Sequence, residues 1–291
     1  MKSPILSVLM TSYNRQSFIA EAIESVQQSS FQEWELIIVD DGSIDETVNI
    51  AKRYAAADNR ISVYINEKNL GDYPNRNHAA SIAKGKYIMY VDSDDRILKD
   101  GFQQCINAME AFPRAGFGMQ FNEASDSSAF YLNSEDVLHA HFFKKPCLMI
   151  GPGGTILRRS FFEQIGGYPE KYGPANDMYF NLKAASVSGV LFLPFTFNFY
   201  RIHDGQEQNN KYAYLSNNYN YLRDALNDLK LSLTSREKVW IMNKNRRRFV
   251  MNLIRYLLKT GNVTKTLQAR KTTQFGVLDL FKAFFHRSLS R

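Results

Sequence analysis

Residues 5–11, 34–39 and 86–91 are apolar almost throughout. They are too short for helices and lack a polar side, as expected of strands buried on both faces. Residues 61–65 alternate apolar with polar and predict another strand. Between these runs the period changes. Phe18, Ile19, Ala22, Ile23 and Val26 recur at helical spacing. Ser43 followed by Glu46 predicts a capping box opening a helix through Val48, Ile50, Ala51 and Tyr54. Residues 75–83 predict a third helix, stopped near Gly85. Strands and helices alternating at this spacing predict βαβ units and a parallel sheet.

Farther on the pattern is less regular. Residues 99–111 predict a helix broken before Pro113, residues 116–121 a strand, and residues 134–143 a helix. Gly151-Pro-Gly-Gly154 predicts a turn where backbone can approach a ligand. Phe161 and Phe162 fall on a short helix ended by Gly166-Gly167; another helix starts near Asn176. Residues 191–200 are strand-like despite Pro194, and the chain beyond residue 211 is helical in pattern.

Two of the buried strands end in acids: Asp40-Asp41-Gly42 and Asp92-Ser93-Asp94-Asp95. The carboxyl ends of parallel strands are where an open sheet forms its ligand crevice. Carboxylates this close repel one another. A hard cation carrying phosphate, Mg²⁺ or Mn²⁺, would relieve them; a solvated acidic turn is the alternative reading of the same residues.

At 291 residues, 44% of them hydrophobic, the chain can bury a full core. Met1 to Pro4 carry no signal-peptide pattern, and no apolar run is long enough to span a bilayer. Cys105 and Cys147 have no metal-ligand spacing, so a reducing, cytoplasmic setting is expected. Charge is unevenly placed. Residues 236–291 carry fourteen Lys and Arg against Glu237 and Asp279, a net +12 in a chain whose total is +7. That leaves −5 for the rest, a slightly acidic body with a basic tail. Such a tail suits an anionic surface, membrane or nucleic acid. In it Val277, Leu278, Phe281, Phe284, Phe285 and Leu289 recur at helical spacing beside Lys282, Arg287 and Arg291. A peripheral position on the inner face of the plasma membrane is one expectation for these helices. Packing on the body, or on a second subunit as a homodimer, is the other. No recognised nucleic-acid module accompanies the charge, so nucleic acid is not expected.

The ordered segments Ser7-Val-Leu-Met-Thr-Ser-Tyr-Asn14, Val39-Asp-Asp-Gly-Ser43, Asn69-Leu-Gly71, Arg76-Asn77 and Gly85-Lys-Tyr-Ile-Met-Tyr-Val-Asp-Ser-Asp-Asp95 resemble the inverting glycosyltransferases of family 2, of GT-A fold. Gly166-Gly-Tyr168, Asn176-Asp177 and Tyr200-Arg-Ile-His203 continue the likeness, which covers about residues 4–206. The resemblance implies an α/β fold, a Rossmann-like and mostly parallel sheet flanked by helices, with a helical C-terminal extension. It divides the chain into a nucleotide-sugar-binding half at 1–98, an acceptor-binding and catalytic half at 99–210, and the basic extension at 211–291. Thr11, Asp40, Asp41, Arg76 and Asp92 become nucleotide-binding residues, with Asp40 accepting from a uracil imide. Asp94 and His203 become ligands to Mn²⁺ or Mg²⁺, and Asp177 the catalytic base. Most members carry Glu-Asp where this chain has Asn176-Asp177, so the base lacks its acidic neighbour. Asp95 and Glu170 are implied to orient the acceptor.

The expected donor is a nucleotide sugar, UDP-linked by resemblance. The acceptor is a saccharide or lipid-linked saccharide of surface-glycan synthesis. A sugar-nucleotide-binding or membrane-scaffold protein that has lost activity is the alternative. A nucleotidyltransferase or dinucleotide oxidoreductase would need a glycine-rich loop after the first strand, where this chain has Thr11-Ser-Tyr-Asn-Arg15.

Overall fold

The computed structural model describes residues 3–121, 128–203 and 212–284. Phe285, Arg287, Leu289 and Arg291 of the tail, and the last residues of the family resemblance, lie outside them. The chain forms two compact units: residues 1–133, 149–168 and 187–202 make the first, residues 134–148, 169–186 and 203–291 the second.

The first unit holds ten strands: β1 (Leu6–Ser12), β2 (Trp34–Asp40), β3 (Ile61–Ile65), β4 (Tyr87–Tyr90), β5 (Arg96–Ile97), β6 (Phe117–Gln120), β7 (Phe130–Leu132), β8 (Thr155–Arg158), β9 (Val190–Leu193) and β10 (Asn198–Phe199). Eight of them form one sheet in the order β3-β2-β1-β4-β8-β6-β9-β7. The first four are parallel, with Ser12 beside Asp40 at the carboxyl edge. β8 enters antiparallel between β4 and β6, so the expected parallel sheet is mostly but not wholly so. β10 pairs antiparallel with β5 in a separate ribbon.

Successive side chains of a strand point to opposite faces. From β1, Leu6, Val8 and Met10 enter a core with Ile19, Ala22, Ile23 and Val26 of helix α1 (Ile19–Gln27) and with Phe102 and Cys105 further along. Leu9 between them is equally buried, which is why the run shows no polar side. Gly85 is required by a close approach. A Cβ there would lie 2.5 Å from the Ser7 amide nitrogen. The Gly85 amide instead donates to Ser7 Oγ (2.8 Å), and that hydroxyl donates to Glu35 (2.6 Å), fixing β4 against β1 at their entry.

Three local expectations change. Helix α2 (Thr47–Ala57) does not open on a Ser43–Glu46 capping box. The Ser43 hydroxyl is committed elsewhere, donating to Asp40 (2.6 Å) and accepting from the Asn14 amide (2.8 Å). The strand expected over residues 191–200 is two, β9 and β10, divided around Pro194, which lacks the N–H a continuous ladder would need. Helix α3 (Asp72–Ile82) starts three residues earlier than the spacing suggests, with Asp72 in its first turn.

The second unit is helical: α5 (Ser134–His139) and a π turn (Ala140–Lys144), the greater part of α7 (Asn176–Ser188), then α8 (Ala213–Asp228), α9 (Ser235–Thr260), α10 (Val263–Thr272) and α11 (Val277–Phe284), while α4 (Gly101–Ala111) and α6 (Arg159–Gln164) belong to the first. A true capping box starts α9: Thr234 accepts from the Glu237 amide, and Glu237 accepts from the Thr234 amide (2.7 Å). Gly261, at a φ of +63°, ends it. Phe249 and Val250 of α9 pack with Tyr219, Phe275 and Ala283, so the basic tail buries a face of its own within this unit. Among the described residues no helix is long and apolar enough to cross a membrane.

Candidate active site

The loops after β1, β2 and β4 meet at one edge of the sheet. Asp40, at the end of β2, is buried, and its carboxylate accepts from Ser12 Oγ (2.8 Å), Ser43 Oγ (2.6 Å) and the amides of Gly42 (3.1 Å) and Ser43 (2.7 Å). Four donors fill the acceptor capacity of a carboxylate. Asp40 therefore holds the turn that follows it. Asp41 faces the other way, accepting from Asn66 Nδ2 (2.8 Å) and from the amides of Leu70 (2.8 Å) and Gly71 (2.9 Å). It draws residues 66–71 in and sets the start of α3, whose N-terminus favours a negative neighbour. Thr11 is half-buried, and its carbonyl accepts from Ser93 Oγ (2.8 Å), tying the end of β1 to the acidic segment after β4.

Each acid of that segment has a cationic partner residue. Asp92 accepts from Arg76 Nη1 (2.7 Å); the Arg76 side chain, 8% exposed, also donates through Nε to Asp72 (2.8 Å). The guanidinium lies 5.3 Å from the centre of the Tyr90 ring. Asp94 accepts from Arg15 Nε (3.0 Å), and Asp95 from the Arg201 amide (2.9 Å). Arg201 also donates to the Asp94 carbonyl (3.0 Å) and pairs with Glu21. Burial pushes the Asp95 carboxyl up to about 7; the Arg201 amide opposes this, and the charges of Asp92 and Asp94 add to it. Arg15 and Arg201 went unassigned in the sequence. A cation in a loop has no periodicity to mark it, and only its position after an expected strand could have drawn notice.

The loops after β1 and β2 are joined. Asn14, at a φ of +52°, accepts from the Ile44 amide (3.0 Å), and the Arg15 amide donates to Thr47 Oγ1 (2.7 Å). Asparagine tolerates this left-handed backbone better than most residues.

A cation cage of three or more His, Cys, Asp or Glu side chains does not occur among the described residues. What the edge offers is carboxylate oxygen. Asp92 accepts at Oδ1 from Arg76, and Asp94 accepts at Oδ2 from Arg15. One or two carboxylates fit Mg²⁺ or Mn²⁺, which draw their remaining ligands from water and substrate phosphate.

The other predicted residues belong to the second unit. Asp177 is buried in the first turn of α7 and accepts from the Met178 amide (2.7 Å). Asn176 accepts from the Tyr172 amide (2.9 Å), so it fixes the preceding turn. On α8, Tyr221 is buried; burial raises its phenol, Arg248 opposes that shift, and the Asp177 charge adds to it. Glu170 is exposed and His203 half-buried.

The sequence pattern of the family described as Glycosyl transferase family 2 matches residues 7–166. The putative teichuronic acid biosynthesis glycosyltransferase TuaG of Bacillus subtilis (strain 168) is 35% identical over 131 residues, 44% of this chain and 52% of that protein. The chain thus spans about half the length of this curated relative. Among solved structures, S. aureus TarS 1–349 in complex with UDP-GlcNAc is similar with a TM-score of 0.73 at 20% identity, covering 92% of this chain and 79% of that one. The mannosyltransferase PcManGT from Pyrobaculum calidifontis, in complex with GDP-Man and Mn²⁺, aligns at a TM-score of 0.64 and 14% identity, covering 99% and 89%. At these identities the structural likeness establishes the fold.

Proposed function

Because the chain belongs to glycosyltransferase family 2, we propose that it moves a sugar from a nucleoside diphosphate, with UDP the expected nucleotide, to a saccharide hydroxyl with inversion. The observation that carries this reading is the meeting of three loops at one sheet edge, where Asp92 pairs with the buried Arg76 and Asp94 with Arg15. Family membership supports transfer over the alternative of an inactive binding protein. The name of the Bacillus relative supports a surface glycan as the product.

In this reading Thr11 and the turns held by Asp40 and Asp41 form the nucleotide floor. Arg76 fixes Asp92 for the ribose. Asp94, with His203 as a further contact, would hold Mg²⁺ or Mn²⁺. When bound, that cation neutralises charge developing on the departing diphosphate. Asp177 takes the proton of the acceptor hydroxyl as it attacks the anomeric carbon, and the bond to the diphosphate breaks on the opposite side. Such a single displacement turns an α-linked donor into a β-linked product. Asp95 and Glu170 are assigned to orienting the acceptor.

The basic extension is assigned to an anionic membrane surface. Val277, Leu278, Phe281 and Phe284 of α11 are all exposed, and apolar side chains beside many Lys and Arg suit a lipid interface. The reading assigns the enzyme to the cytoplasmic face, with a lipid-linked saccharide as the acceptor.

Thermal unfolding with UDP, GDP or dTDP, each with and without Mn²⁺, tests the donor site. Stabilisation by one nucleotide that grows with Mn²⁺ is expected; indifference to all three would refute the reading. A panel of nucleotide sugars scored for hydrolysis or transfer then identifies the donor.

A further inference from the structure

We propose that Arg15 is a built-in rival of the divalent cation. In the ligand-free chain it holds Asp94, and it yields that carboxylate to the metal when a nucleoside diphosphate gives its guanidinium another anion. This deepens the donor-site reading and rests on its assignment of Asp94 to the cation.

The geometry separates Arg15 from the other cation at this edge. Arg76 is 8% exposed and carries two acids, so moving it would strand Asp92 and Asp72 together. Arg15 is 26% exposed and has one acid, reached through Nε. Among the described residues its Nη1 meets neutral acceptors, the carbonyls of Tyr13 (3.1 Å) and Asn14 (3.2 Å). Arg15 is the partly exposed partner of Asp94, whose own side chain is 13% exposed, so it can turn to solvent where Arg76 cannot. The backbone beneath is anchored by the Arg15 amide on Thr47 and by Asn14 on Ile44, so the exchange needs a side-chain rotation and no loop movement.

The chemistry favours exchange. A guanidinium stays charged at all working pH values and cannot share a carboxylate oxygen with a metal without repulsion. Its planar fork matches phosphate as well as carboxylate. Cation and diphosphate would then bind as a linked pair, each raising the affinity of the other by the same factor. Free metal alone has to displace an arginine that has nowhere charged to go.

Manganese binding to the full chain, followed by the EPR signal of free Mn²⁺, tests this with and without UDP. The unaltered protein should bind Mn²⁺ weakly alone and about tenfold or more tightly with UDP, within the usual range of coupling between sites. Arg15→Gln should bind Mn²⁺ alone about tenfold more tightly than the unaltered chain, and the enhancement by UDP should shrink by the same factor, leaving only what direct phosphate ligation supplies. Arg15→Lys, which keeps charge but loses the fork, should fall between them and serves if the glutamine variant does not fold. Mn²⁺ affinity that is the same in all three forms overturns the proposal, as does a UDP enhancement undiminished by Arg15→Gln. Failure of UDP, GDP and dTDP to bind the unaltered chain would remove the donor reading instead; the Mn²⁺-only comparison would still decide for or against Arg15.

Discussion

His141 should make the second unit acid-sensitive in a defined window. It is buried, and its Nδ1 accepts from the amides of Cys147 (3.2 Å) and Leu148 (3.1 Å). Burial, with the charges of Arg248 and Lys244 adding, lowers its pKa from 6.5 to about 4. The folded state therefore keeps the ring neutral where the unfolded chain binds a proton. Stability is complete above pH 6.5 and falls as pH drops toward 4, below which both states are protonated and the loss stops. This difference in pKa corresponds to about 3 kcal/mol at most. The structural cause is specific: protonation at Nδ1 turns two accepted hydrogen bonds into donor–donor clashes. The assay is urea unfolding between pH 7.5 and 4.5, read by the fluorescence of Trp240, which lies 5.3 Å from Phe143 in the same unit, in a Trp34→Phe background. His141→Gln should be less stable at neutral pH but lose the His141 part of the slope. Equal pH slopes for the two proteins would refute the reasoning.

Asp177→Asn should keep nucleotide affinity and reduce transfer by about a hundredfold or more, as expected for removal of a general base; unchanged turnover would move the base elsewhere. Gly85→Ala should cost about 1–3 kcal/mol in urea unfolding, because the added Cβ meets the backbone of β1, which cannot yield as a side chain could. Leu278→Ser with Phe281→Ser should weaken sedimentation with phosphatidylglycerol vesicles by about tenfold per side chain while leaving nucleotide binding intact. Equal vesicle binding would end the membrane assignment of the tail.

β1, β2 and β4 were legible because their burial on both faces leaves an apolar run that no helix of that length would show, whereas β3, largely exposed, was legible by its alternation. The acids at their ends were legible for the complementary reason: a carboxylate after such a run has to lie where the sheet opens. β8 was not legible, being four residues long and placed directly after a glycine-rich turn. Ser43 and Glu46 matched a capping box in spacing, but spacing does not register that Asp40 three residues earlier competes for the same hydroxyl. The matching pattern at Thr234 and Glu237 forms the box: the Thr234 hydroxyl donates to Glu237 (2.8 Å) and accepts from its amide (3.3 Å). Of the candidate site, the acids were visible in the chain, and of their partners only Arg76 was. Arg76 was accessible through a family motif, whereas Arg15 and Arg201 act through contacts 79 and 107 residues away in sequence.

The saturation of Asp40 by four donors has a consequence for how a ligand is received. In the proposed reading, the floor beneath the nucleotide is shaped by these bonds before anything arrives, so the conformational entropy of shaping it is lost when the chain folds and not when a ligand docks. Discrimination between nucleotides must then come from fit to a fixed surface, and association there should be fast and free of a slow rearrangement phase.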